Sequence, residues 1–327
     1  MGKPKPKKDK PLLACKVVVL EDVNQLAKKY RGKFQLTLKT IRKKGYENYI
    51  DPTQNMLLVQ WETLLNKICH EDPVIAVENF VDNEGPPDNF TYVRQNITHG
   101  LANDLLDPNF LAGCECFPRC SQNTCSCPKN SGHKFAYDRN KRVLLPPQSP
   151  IYECNKRCKC GDDCPNRVLQ KGLTVRVCIF RTDNGRGWGL KTREFIPKDM
   201  FVVEYVGEVI TSDDAERRGK LYDERQQTYL FDLDFNGDPT FTIDAHEYGN
   251  VSHFINHSCD PNLRVFTVWV DTLDPRLPRL GLFALRDIKQ GEELTFDYTC
   301  GQKESKTSNE IKMYCACGAP NCRKYLF

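Results

Sequence analysis

Nine cysteines between residues 114 and 164 constrain the fold of this chain more than any other feature of its sequence. They are Cys114, Cys116, Cys120, Cys125 and Cys127, followed after twenty-six residues by Cys154, Cys158, Cys160 and Cys164. The first residues of the chain lack the apolar stretch of a signal peptide, so we expect a reducing compartment in which disulfides are rare. In such a compartment, metal binding is the better explanation of a cysteine cluster.

The number of these cysteines predicts how many metal ions they hold. A closed structural zinc site takes four ligands, so three zinc ions have twelve ligand positions. Nine thiolates fill these positions if three of them each bridge two ions, which predicts a compact three-zinc cluster. Residues 114–164 carry nine Lys or Arg against five Asp or Glu, an excess that would offset the cluster's negative charge. The alternatives are two separate four-cysteine zinc sites with one spare thiol, or a disulfide scaffold.

A second group of cysteines lies in the sequence YCACGAPNCRKYLF, residues 314–327, and supplies three ligands: Cys315, Cys317 and Cys322. A tetrahedral zinc site needs a fourth ligand, for which Cys259 is the natural candidate. A metal ion held by these four cysteines would tie the C-terminal residues over Asn256 and His257 and close a cofactor pocket. Four further cysteines lie outside both predicted metal sites, and the first three have apolar neighbours typical of a core: Cys15, Cys69, Cys178 and Cys300.

Length and charge exclude several classes of protein. A chain of 327 residues with 39% hydrophobic residues can bury a large core and has room for two or more structural units. It has no run of eighteen apolar residues, so we expect no membrane-spanning helix. The net charge of +4 is concentrated in residues 1–10, which hold five Lys and one Asp. The remaining chain is neutral, which is unlike a dedicated DNA-binding domain.

Charge runs predict contacts at two places. The basic residues 1–11 are typical of a disordered, solvated tail, with weak nucleic-acid contact or nuclear import as the alternative. Between Glu204 and Glu247, twelve acidic residues face four basic ones. This stretch would repel phosphate and attract a basic peptide, or it is an ordinary solvated acidic surface.

The order of elements predicts a mainly β protein behind an N-terminal helical segment. Apolar residues at helical spacing predict one helix between Val17 and Lys44, and a second after Pro52 that buries Leu57, Trp61, Leu64, Leu65 and Ile68. Residues 74–93 alternate like two strands around a Gly-Pro-Pro turn. Beyond Cys164, short strands are predicted within residues 173–180, 200–210, 228–235, 239–245, 263–270 and 281–288, with a polar helix at 212–227.

Three short motifs carry most of the polar or aromatic groups that a binding site would need. HFINHSCDPN places Asn256, His257, Ser258 and Cys259 together, and GEELTFDYTCG delivers the phenol of Tyr298 beside Phe296. In GRGWGL, residues 185–190, alternate glycines allow a ligand close to the backbone while Trp188 offers a flat face. Taken singly, these motifs are compatible with a core histidine, a core aromatic strand and a tight hairpin turn.

Together these motifs resemble those of the SET-domain protein lysine methyltransferases. The motifs that carry the resemblance are GWG at 187–189, EYVGE at 204–208, TYLFDLD at 228–234, NHSCDPN at 256–262 and ELTFDY at 293–298. The nine-cysteine stretch resembles the pre-SET zinc cluster. The last cysteines resemble the post-SET element of the suppressor-of-variegation class, which methylates lysine nine of histone H3.

The resemblance implies an architecture and a set of domain boundaries. The fold would be mainly β, a β-clip-like SET domain with a knotted active site. We expect a basic disordered tail at 1–11, an N-terminal helical and strand segment at 12–111, and a pre-SET three-zinc cluster at 112–172. The SET catalytic domain would occupy 173–300, and the zinc-binding post-SET element 301–327.

The resemblance also implies roles for individual residues. Tyr298 would be the catalytic tyrosine, with Phe296 and Tyr229 in the wall of the lysine channel. The residues implied to contact S-adenosylmethionine are Arg186, Gly187, Trp188, Tyr229, Asn256 and His257. Cys259, Cys315, Cys317 and Cys322 would bind a fourth zinc ion. A phenylalanine at position 296 goes with di- and trimethylation in this family, so the expected product is a di- or trimethyl-lysine.

The implied enzyme is a nuclear histone-lysine N-methyltransferase that acts on the histone H3 tail or nucleosome and gives heterochromatin and gene silencing. Heterochromatin proteins would be partners. Two features depart from the class: residues 1–110 lack a recognisable chromodomain cage, and His253 stands where some relatives have arginine. The rival hypotheses are a non-catalytic chromatin-binding module with the SET shape and a zinc-dependent nucleic-acid-binding protein.

Overall fold

The structure, a computed structural model, describes residues 52–68, 73–98, 105, 111–121, 124–131, 135–224, 228–233, 240–300 and 313–326. The predicted helix between Val17 and Lys44, the basic tail, Cys15 and Cys69 lie outside these residues. Within them the fold is mainly β, as predicted. The two α-helices are α1 (Pro52–Ile68) and α2 (Ser212–Glu224).

Besides three short 3-10 helices, the described ranges contain fourteen short strands. They are β1 Ala76–Glu78, β2 Thr91–Tyr92, β3 Ile151–Tyr152, β4 Val177–Arg181, β5 Trp188–Thr192, β6 Phe201–Tyr205, β7 Glu208–Thr211, β8 Leu230–Asp232, β9 Phe241–Asp244, β10 Tyr248–Gly249, β11 Asn256–His257, β12 Leu263–Trp269, β13 Arg279–Ala284 and β14 Thr295–Phe296.

These strands form several small sheets rather than one large one. The largest has the order β3-β12-β13-β6, and two three-stranded sheets have the orders β1-β4-β5 and β7-β9-β8. Two-stranded pairs join β10 to β2 and β11 to β14. The β11–β14 pair is parallel and places Asn256 opposite Thr295 and His257 opposite Phe296.

The strand predicted over residues 200–210 is in fact two strands that belong to different sheets. β6 pairs with β13, whereas β7 pairs with β9. The chain changes sheets at Gly207, where a Cβ atom would lie 2.3 Å from the backbone oxygen of Asp244. Only glycine lets the two backbones approach this closely, so the apolar run continues through a change of direction that its alternation does not reveal.

The two strands predicted within residues 74–93 exist, but they do not pair with each other. β1 lies parallel to β4, with Ala76 opposite Cys178, and β2 lies parallel to β10, with Thr91 opposite Tyr248. The segment between β1 and β2 therefore connects two sheets. Backbone hydrogen bonds at both of its ends join it to strands β4 and β10.

Helix α1 begins with Pro52, a residue favoured in the first turn because its missing N–H has no helical partner there. Its buried side chains are Leu58, Trp61 and Leu65. Leu57 and Leu64, which the sequence also placed on the buried face, are only partly buried, and Leu58 takes their place. This face packs into the main hydrophobic core with Val177 and Ile179 of β4 and residues of β6, β9 and β13.

The polar helix predicted at 212–227 is confirmed as α2 up to Glu224; residues 225–227 are outside the described ranges. Asp213 and Asp214 lie in its first turn, where they interact favourably with the helix dipole. Its inner side is fixed by Asp244, whose Oδ2 accepts hydrogen bonds from Arg218 at 2.8 Å and Tyr222 at 2.9 Å. None of the helices in the part of the chain described above is long and apolar enough to cross a membrane.

Candidate active site and metal centres

The two polar motifs predicted to form the site lie side by side, although some forty residues separate them in sequence. The parallel pairing of β11 and β14 brings this about. Beyond β14, the backbone N–H of Tyr298 donates to Nδ1 of His257 at 3.2 Å, and the two rings meet edge to face at 5.3 Å. Because Nδ1 accepts this bond, the neutral imidazole carries its proton on Nε2.

Asn256 links the second motif to the glycine-rich turn. Its amide nitrogen donates to the backbone oxygen of Trp188 at 3.1 Å and to Oε1 of Glu293 at 3.0 Å. The other carboxylate oxygen of Glu293 accepts from Arg186 at 2.6 Å. Three of the residues predicted to contact a cofactor, Arg186, Trp188 and Asn256, are thus fixed relative to one another.

Glu293 was not predicted as a site residue, yet it holds two of them. The signal was present in the sequence, since GEELTFDY contains two acidic residues directly before an apolar strand. A carboxylate at this position needs cationic or N–H partners. Its partners, Arg186 and Asn256, are distant in sequence and can be identified only in the folded structure.

The glycine-rich turn is shaped for close approach to the backbone. Gly185 and Gly187 have φ values of +82° and +76°, a conformation that side-chain-bearing residues rarely adopt. A Cβ atom at Gly185 would meet nothing within 4 Å. The turn thus presents exposed backbone beside Trp188, as the sequence led us to expect.

The phenol of Tyr298 is held in a fixed direction. Its hydroxyl donates to the backbone oxygen of Ile255 at 2.8 Å, and its ring lies 4.8 Å from that of Phe296. Burial away from water, and to a smaller extent the proximity of Tyr229, raises the pKa of Tyr298 above its usual value. The phenol therefore stays protonated at neutral pH and can orient a polar atom, but it is a poor base.

Phe296 belongs to an aromatic group that includes two residues not predicted for the site. Its ring centroid lies 6.1 Å from that of Tyr205 and 6.3 Å from that of Phe231, and these two are 5.6 Å apart. Tyr205 also donates its hydroxyl proton to the backbone oxygen of Tyr229 at 2.8 Å. Both residues lie in motifs quoted above, EYVGE and TYLFDLD, but their alternation indicated only that they were strand residues.

Tyr229 is stacked on His253. The two rings are 4.6 Å apart and inclined by only 7°. Nδ1 of His253 lies 2.7 Å from the backbone oxygen of Ala245, so this nitrogen donates and the ring is held in place. Desolvation lowers the pKa of His253 to about 4, and that of His257 likewise to about 4. Both histidines are neutral at physiological pH.

The nine cysteines of residues 114–164 come together as one group of free thiols, which excludes a disulfide scaffold. Eight are buried and Cys116 is partly buried. Eight of their sulfurs form three overlapping sets of four within which all sulfurs lie within 4.8 Å of one another. Cys164, in none of these sets, has its sulfur 3.8 Å from that of Cys154. The sets are Cys114, Cys127, Cys154 and Cys158; Cys114, Cys120, Cys154 and Cys160; and Cys114, Cys116, Cys120 and Cys125.

The overlap of these sets shows shared sulfurs, but not in the arrangement predicted, in which three of nine thiolates each bridge two ions. The sulfur of Cys114 belongs to all three sets, those of Cys120 and Cys154 belong to two each, and that of Cys164 belongs to none. The Cys114 and Cys120 sulfurs are 3.5 Å apart, and the Cys120 and Cys154 sulfurs 3.6 Å. Three is the number of bridging thiolates that nine ligands need to complete three tetrahedral sites, and two separate four-cysteine sites would share none.

Hydrogen-bond donors lie around the nine cysteines, where they would stabilise the negative charge of thiolates. Arg167, which is buried, donates to the backbone oxygens of Cys154 and Asn155 and lies 3.6 Å from the sulfur of Cys160. The amide nitrogen of Asn166 lies 3.5 Å from the sulfur of Cys154. A buried cation and N–H groups pointing at sulfur stabilise negative charge there.

The second predicted metal site is also assembled. The sulfurs of Cys259, Cys315, Cys317 and Cys322 all lie within 4.8 Å of one another. Nε2 of His257 lies 3.4 Å from the sulfur of Cys259 and 3.4 Å from a terminal nitrogen of Arg323. The C-terminal residues therefore meet the Asn256–His257 strand as the sequence predicted.

An ion pair of Arg323 attaches the same C-terminal segment to the residues that follow β14. Its two terminal nitrogens donate to the two carboxylate oxygens of Asp297, at 2.6 and 3.0 Å. Asp297 lies between Phe296 and Tyr298 in sequence. The four-cysteine site and this bidentate ion pair thus attach the chain end at two points beside the predicted catalytic tyrosine.

The acidic stretch between Glu204 and Glu247 is largely occupied by internal contacts. Glu204 is buried and forms a bidentate ion pair with Arg279, at 2.5 and 2.8 Å. Asp234 and Asp238 lie outside the described residues. Other carboxylates of this stretch with partners inside the protein include Glu208 and Asp244 with Arg218, Asp214 with Arg217, Glu216 with Lys220, and Asp232 with Thr242. At least six of the twelve carboxylates thus have partners inside the protein, so the charge count overstates any attraction for a basic peptide.

Comparison with known proteins identifies the family. The SET domain family model matches residues 187–299, and the Pre-SET motif model matches residues 67–167. Histone-lysine N-methyltransferase SUV39H2 of Xenopus tropicalis is 52% identical over 282 residues, an alignment covering 84% of this chain and 68% of the frog protein. The chain belongs to the SUV39 family of SET-domain histone-lysine methyltransferases. SUV39H2 of Homo sapiens is 49% identical, with the same coverage of both chains.

Solved structures of SUV39-like SET proteins share the fold. The Neurospora SET domain protein DIM-5, a histone lysine methyltransferase, is 36% identical with a TM-score of 0.63, covering 72% of this chain and 98% of DIM-5. KRYPTONITE, solved with DNA, an H3(1-15) peptide and SAH, is 34% identical with a TM-score of 0.65. That match covers 79% of this chain and 52% of KRYPTONITE, so this chain spans about half the length of that protein.

Proposed function

We propose that this protein transfers methyl groups from S-adenosylmethionine to lysine nine of the histone H3 tail, giving a di- or trimethyl product. Family membership supports histone lysine methylation, and relatives of this fold are solved with SAM or with SAH and an H3 peptide. The observation that carries the proposal is the convergence of the Arg186–Glu293–Asn256 network with Tyr298 and Phe296 at one place. By the same argument, we propose a nuclear location on chromatin and heterochromatin proteins as partners.

The residues present fit S-adenosylmethionine. The positive-φ turn at Gly185 and Gly187 offers open backbone, and Trp188 offers an aromatic face to an adenine ring or a sulfonium. Arg186 and Asn256 are held by Glu293 on the same side. We propose that these residues, with Tyr229 and His257, hold the cofactor, which supplies an electrophilic methyl group on a sulfonium sulfur.

The protein's task is to present a neutral amine to that methyl group. A free lysine has a pKa of about 10.4 and is almost fully charged at neutral pH. In a channel lined by Phe296, Tyr229 and Tyr205, loss of water disfavours the ammonium form, so the proton leaves to solvent before transfer. The hydroxyl of Tyr298, fixed on the Ile255 oxygen, orients the amine nitrogen in line with the donor.

Zinc completes the proposal as a structural metal. Nine thiolates with three shared sulfurs suit three zinc ions, and the four sulfurs around Cys259 suit a fourth. With every predicted position filled by thiolate, neither site leaves a coordination position for substrate. Arg167 and Asn166 would stabilise the cluster, while the fourth ion would hold the C-terminal segment beside His257.

Mass spectrometry of a histone peptide array incubated with S-adenosylmethionine tests the activity. We expect mass increases of 28 or 42 Da, about 14 Da for each added methyl group, on peptides containing H3 lysine nine. Tyr298→Phe should lower kcat by roughly a hundredfold or more while cofactor binding and the folded state are kept. Tyr314→Phe removes a hydroxyl from an exposed ring that packs at a tilt against Tyr325, and it should change neither.

Three results would contradict the proposal or part of it. An unmodified peptide array despite cofactor binding would indicate a non-catalytic chromatin-binding module. Full turnover by Tyr298→Phe would remove the catalytic assignment of this tyrosine. Strong, salt-dependent binding of DNA without methyl transfer would favour the nucleic-acid-binding alternative.

A further inference from the structure

Trp188, the aromatic residue of the glycine-rich turn, is contacted by a part of the chain far outside the catalytic domain. The ring of Trp61 in helix α1 meets it edge to face at 5.9 Å. Trp61 also meets Phe254 at 5.7 Å, and Phe254 lies two residues before Asn256. Trp61 is outside both family matches, which begin at residues 67 and 187. Trp61 therefore contacts two segments of the proposed cofactor site, the glycine-rich turn through Trp188 and the segment before Asn256 through Phe254.

A second contact comes from Arg181, at the end of β4. Its guanidinium carbon lies 5.8 Å from the centre of the Trp188 ring. Asp82 accepts a hydrogen bond from Arg181 at 2.8 Å, and Glu84 lies 3.9 Å from it. Both carboxylates belong to the loop that follows β1. The same N-terminal segment thus acts on Trp188 in two ways. Trp61 of α1 packs against its ring, and Asp82 and Glu84 bind the Arg181 guanidinium that lies near that ring.

Asp82 is itself fixed within that loop. Its Oδ1 accepts hydrogen bonds from the amide nitrogen of Asn79 at 2.9 Å and from the backbone N–H of Glu84 at 3.1 Å. Only Oδ2 faces Arg181. The loop therefore presents a preoriented carboxylate, and the guanidinium beside Trp188 cannot swing away without losing a charge-assisted hydrogen bond.

We propose that residues 52–98 set the affinity for the cofactor by holding Trp188 between Trp61 and Arg181. Trp61, Arg181 and Asp82 are positioning residues, since they act on the cofactor through Trp188. The inference rests on the proposed function, because it assumes that Trp188 contacts S-adenosylmethionine. Its physical basis is that a site whose walls are already fixed loses less conformational freedom on binding.

Asp82→Asn is the decisive variant. An asparagine can keep the Oδ1 contacts with Asn79 and Glu84, but it removes the charge that holds Arg181. The matched control is Glu78→Gln, which removes another ion pair between the same segment and the same sheet, that of Glu78 with Lys191 at 2.7 Å. Lys191 lies over Phe180 at 5.0 Å rather than over Trp188.

We expect Asp82→Asn to raise the Kd and KM for S-adenosylmethionine by roughly three- to tenfold, the effect of a weakened cation–π contact. The KM for an H3 peptide and kcat at saturating cofactor should stay unchanged. Glu78→Gln should leave the Kd for the cofactor unchanged. Trp61→Phe should give a smaller rise in Kd than Trp61→Ala, because phenylalanine restores part of the ring contact.

Calorimetric titration of the full chain with S-adenosylmethionine separates the outcomes. An unchanged Kd in both Asp82→Asn and Trp61→Phe would overturn the inference, and so would an equal rise in Asp82→Asn and Glu78→Gln. A wild-type protein that does not bind S-adenosylmethionine would instead contradict the proposed function itself. If Trp61→Ala fails to fold, the comparison of Asp82→Asn with Glu78→Gln still decides.

Discussion

We propose that Phe296 sets how much space lies beside the Tyr298 hydroxyl. Its ring packs against Tyr298 at 4.8 Å and closes the aromatic group of Tyr205 and Phe231. A phenol at this position would add a hydroxyl that can hold a water molecule where further methyl groups must fit. Phe296→Tyr should therefore shift the product towards monomethyl-lysine, measured by mass spectrometry of the H3 peptide at complete turnover. A product distribution identical to that of the wild type would rule out this role.

His253 gives the protein a defined pH dependence. Its pKa is about 4 in the folded protein, against about 6.5 in an unfolded chain. Between these values the unfolded chain binds more protons, so the free energy of unfolding falls as the pH drops from about 6.5 to about 4. The neighbouring groups are His246, Asp244 and the stacked ring of Tyr229.

Replacing His253 should flatten this pH dependence. In His253→Gln the amide can still donate to the Ala245 oxygen, but one protonation event is removed. The slope of unfolding free energy against pH should decrease by up to about 1.4 kcal/mol per pH unit in that window. Urea denaturation between pH 4 and pH 7 measures it. His257 remains in both proteins as an internal reference, and an unchanged slope would contradict the low pKa of His253.

Single residues of the site were predictable from sequence where they carry the chemistry of a motif, as Tyr298, Asn256 and the thirteen cysteines do. The residues that position them were not. Glu293 has no partner close in sequence, since Arg186 and Asn256 are far from it along the chain. Such a residue is recognisable only from the fold, because its role depends on what the fold brings to it.

Among the elements, the break between β6 and β7 depends on one glycine. At Gly207 a Cβ atom would lie 2.3 Å from the Asp244 oxygen and 2.6 Å from its carbon. Gly207→Ala should lower the free energy of unfolding by about 1–3 kcal/mol, as overpacking does elsewhere. The control is Gly219→Ala in α2, where a Cβ would meet Leu230 at an ordinary 3.4 Å. That substitution should be neutral or slightly stabilising because alanine favours helix.

Thermal and urea denaturation of both variants measure these effects. Equal stabilities of Gly207→Ala and the wild type would show that the backbone can move apart at this point. The same region explains why strand prediction was incomplete: alternation and apolar runs located the strands, but not their partners. The segment 200–210 changes sheets at a position marked only by one glycine, and β1 and β2 pair with strands distant in sequence.

At the scale of the whole molecule, the two cysteine groups should differ in what they support. The nine cysteines form a core cluster of their own, whereas the Cys259 group attaches the C-terminal segment to the Asn256–His257 strand. We expect Cys259→Ser to lower the zinc content from about four ions to about three per chain, with four tetrahedral sites as the starting point. Methyl transfer should be lost while the β-sheet circular dichroism remains.

Elemental analysis of the purified protein provides the metal count independently of activity. Treatment with a strong chelator should remove all zinc and abolish both activity and cooperative unfolding, because metal binding supplies part of the folding free energy and the protonated thiols left behind no longer hold the cysteine-rich segments together. Unchanged zinc content in Cys259→Ser would place the fourth ion elsewhere. The mainly β architecture was predictable at this scale, from the succession of short strands and from the resemblance of the motifs to those of the SET-domain methyltransferases. The joining of the N-terminal segment to Trp188 was not.

The active site draws on positions from Trp61 to Arg323, which lie near opposite ends of the described sequence. Bringing such positions together closes very long loops, an unfavourable step until the contacts that it allows have formed. We therefore expect the site to be among the last parts of the molecule to assemble during folding. A chain that already has most of its strands would then still lack catalytic geometry, and newly synthesised protein would stay inactive until folding is complete.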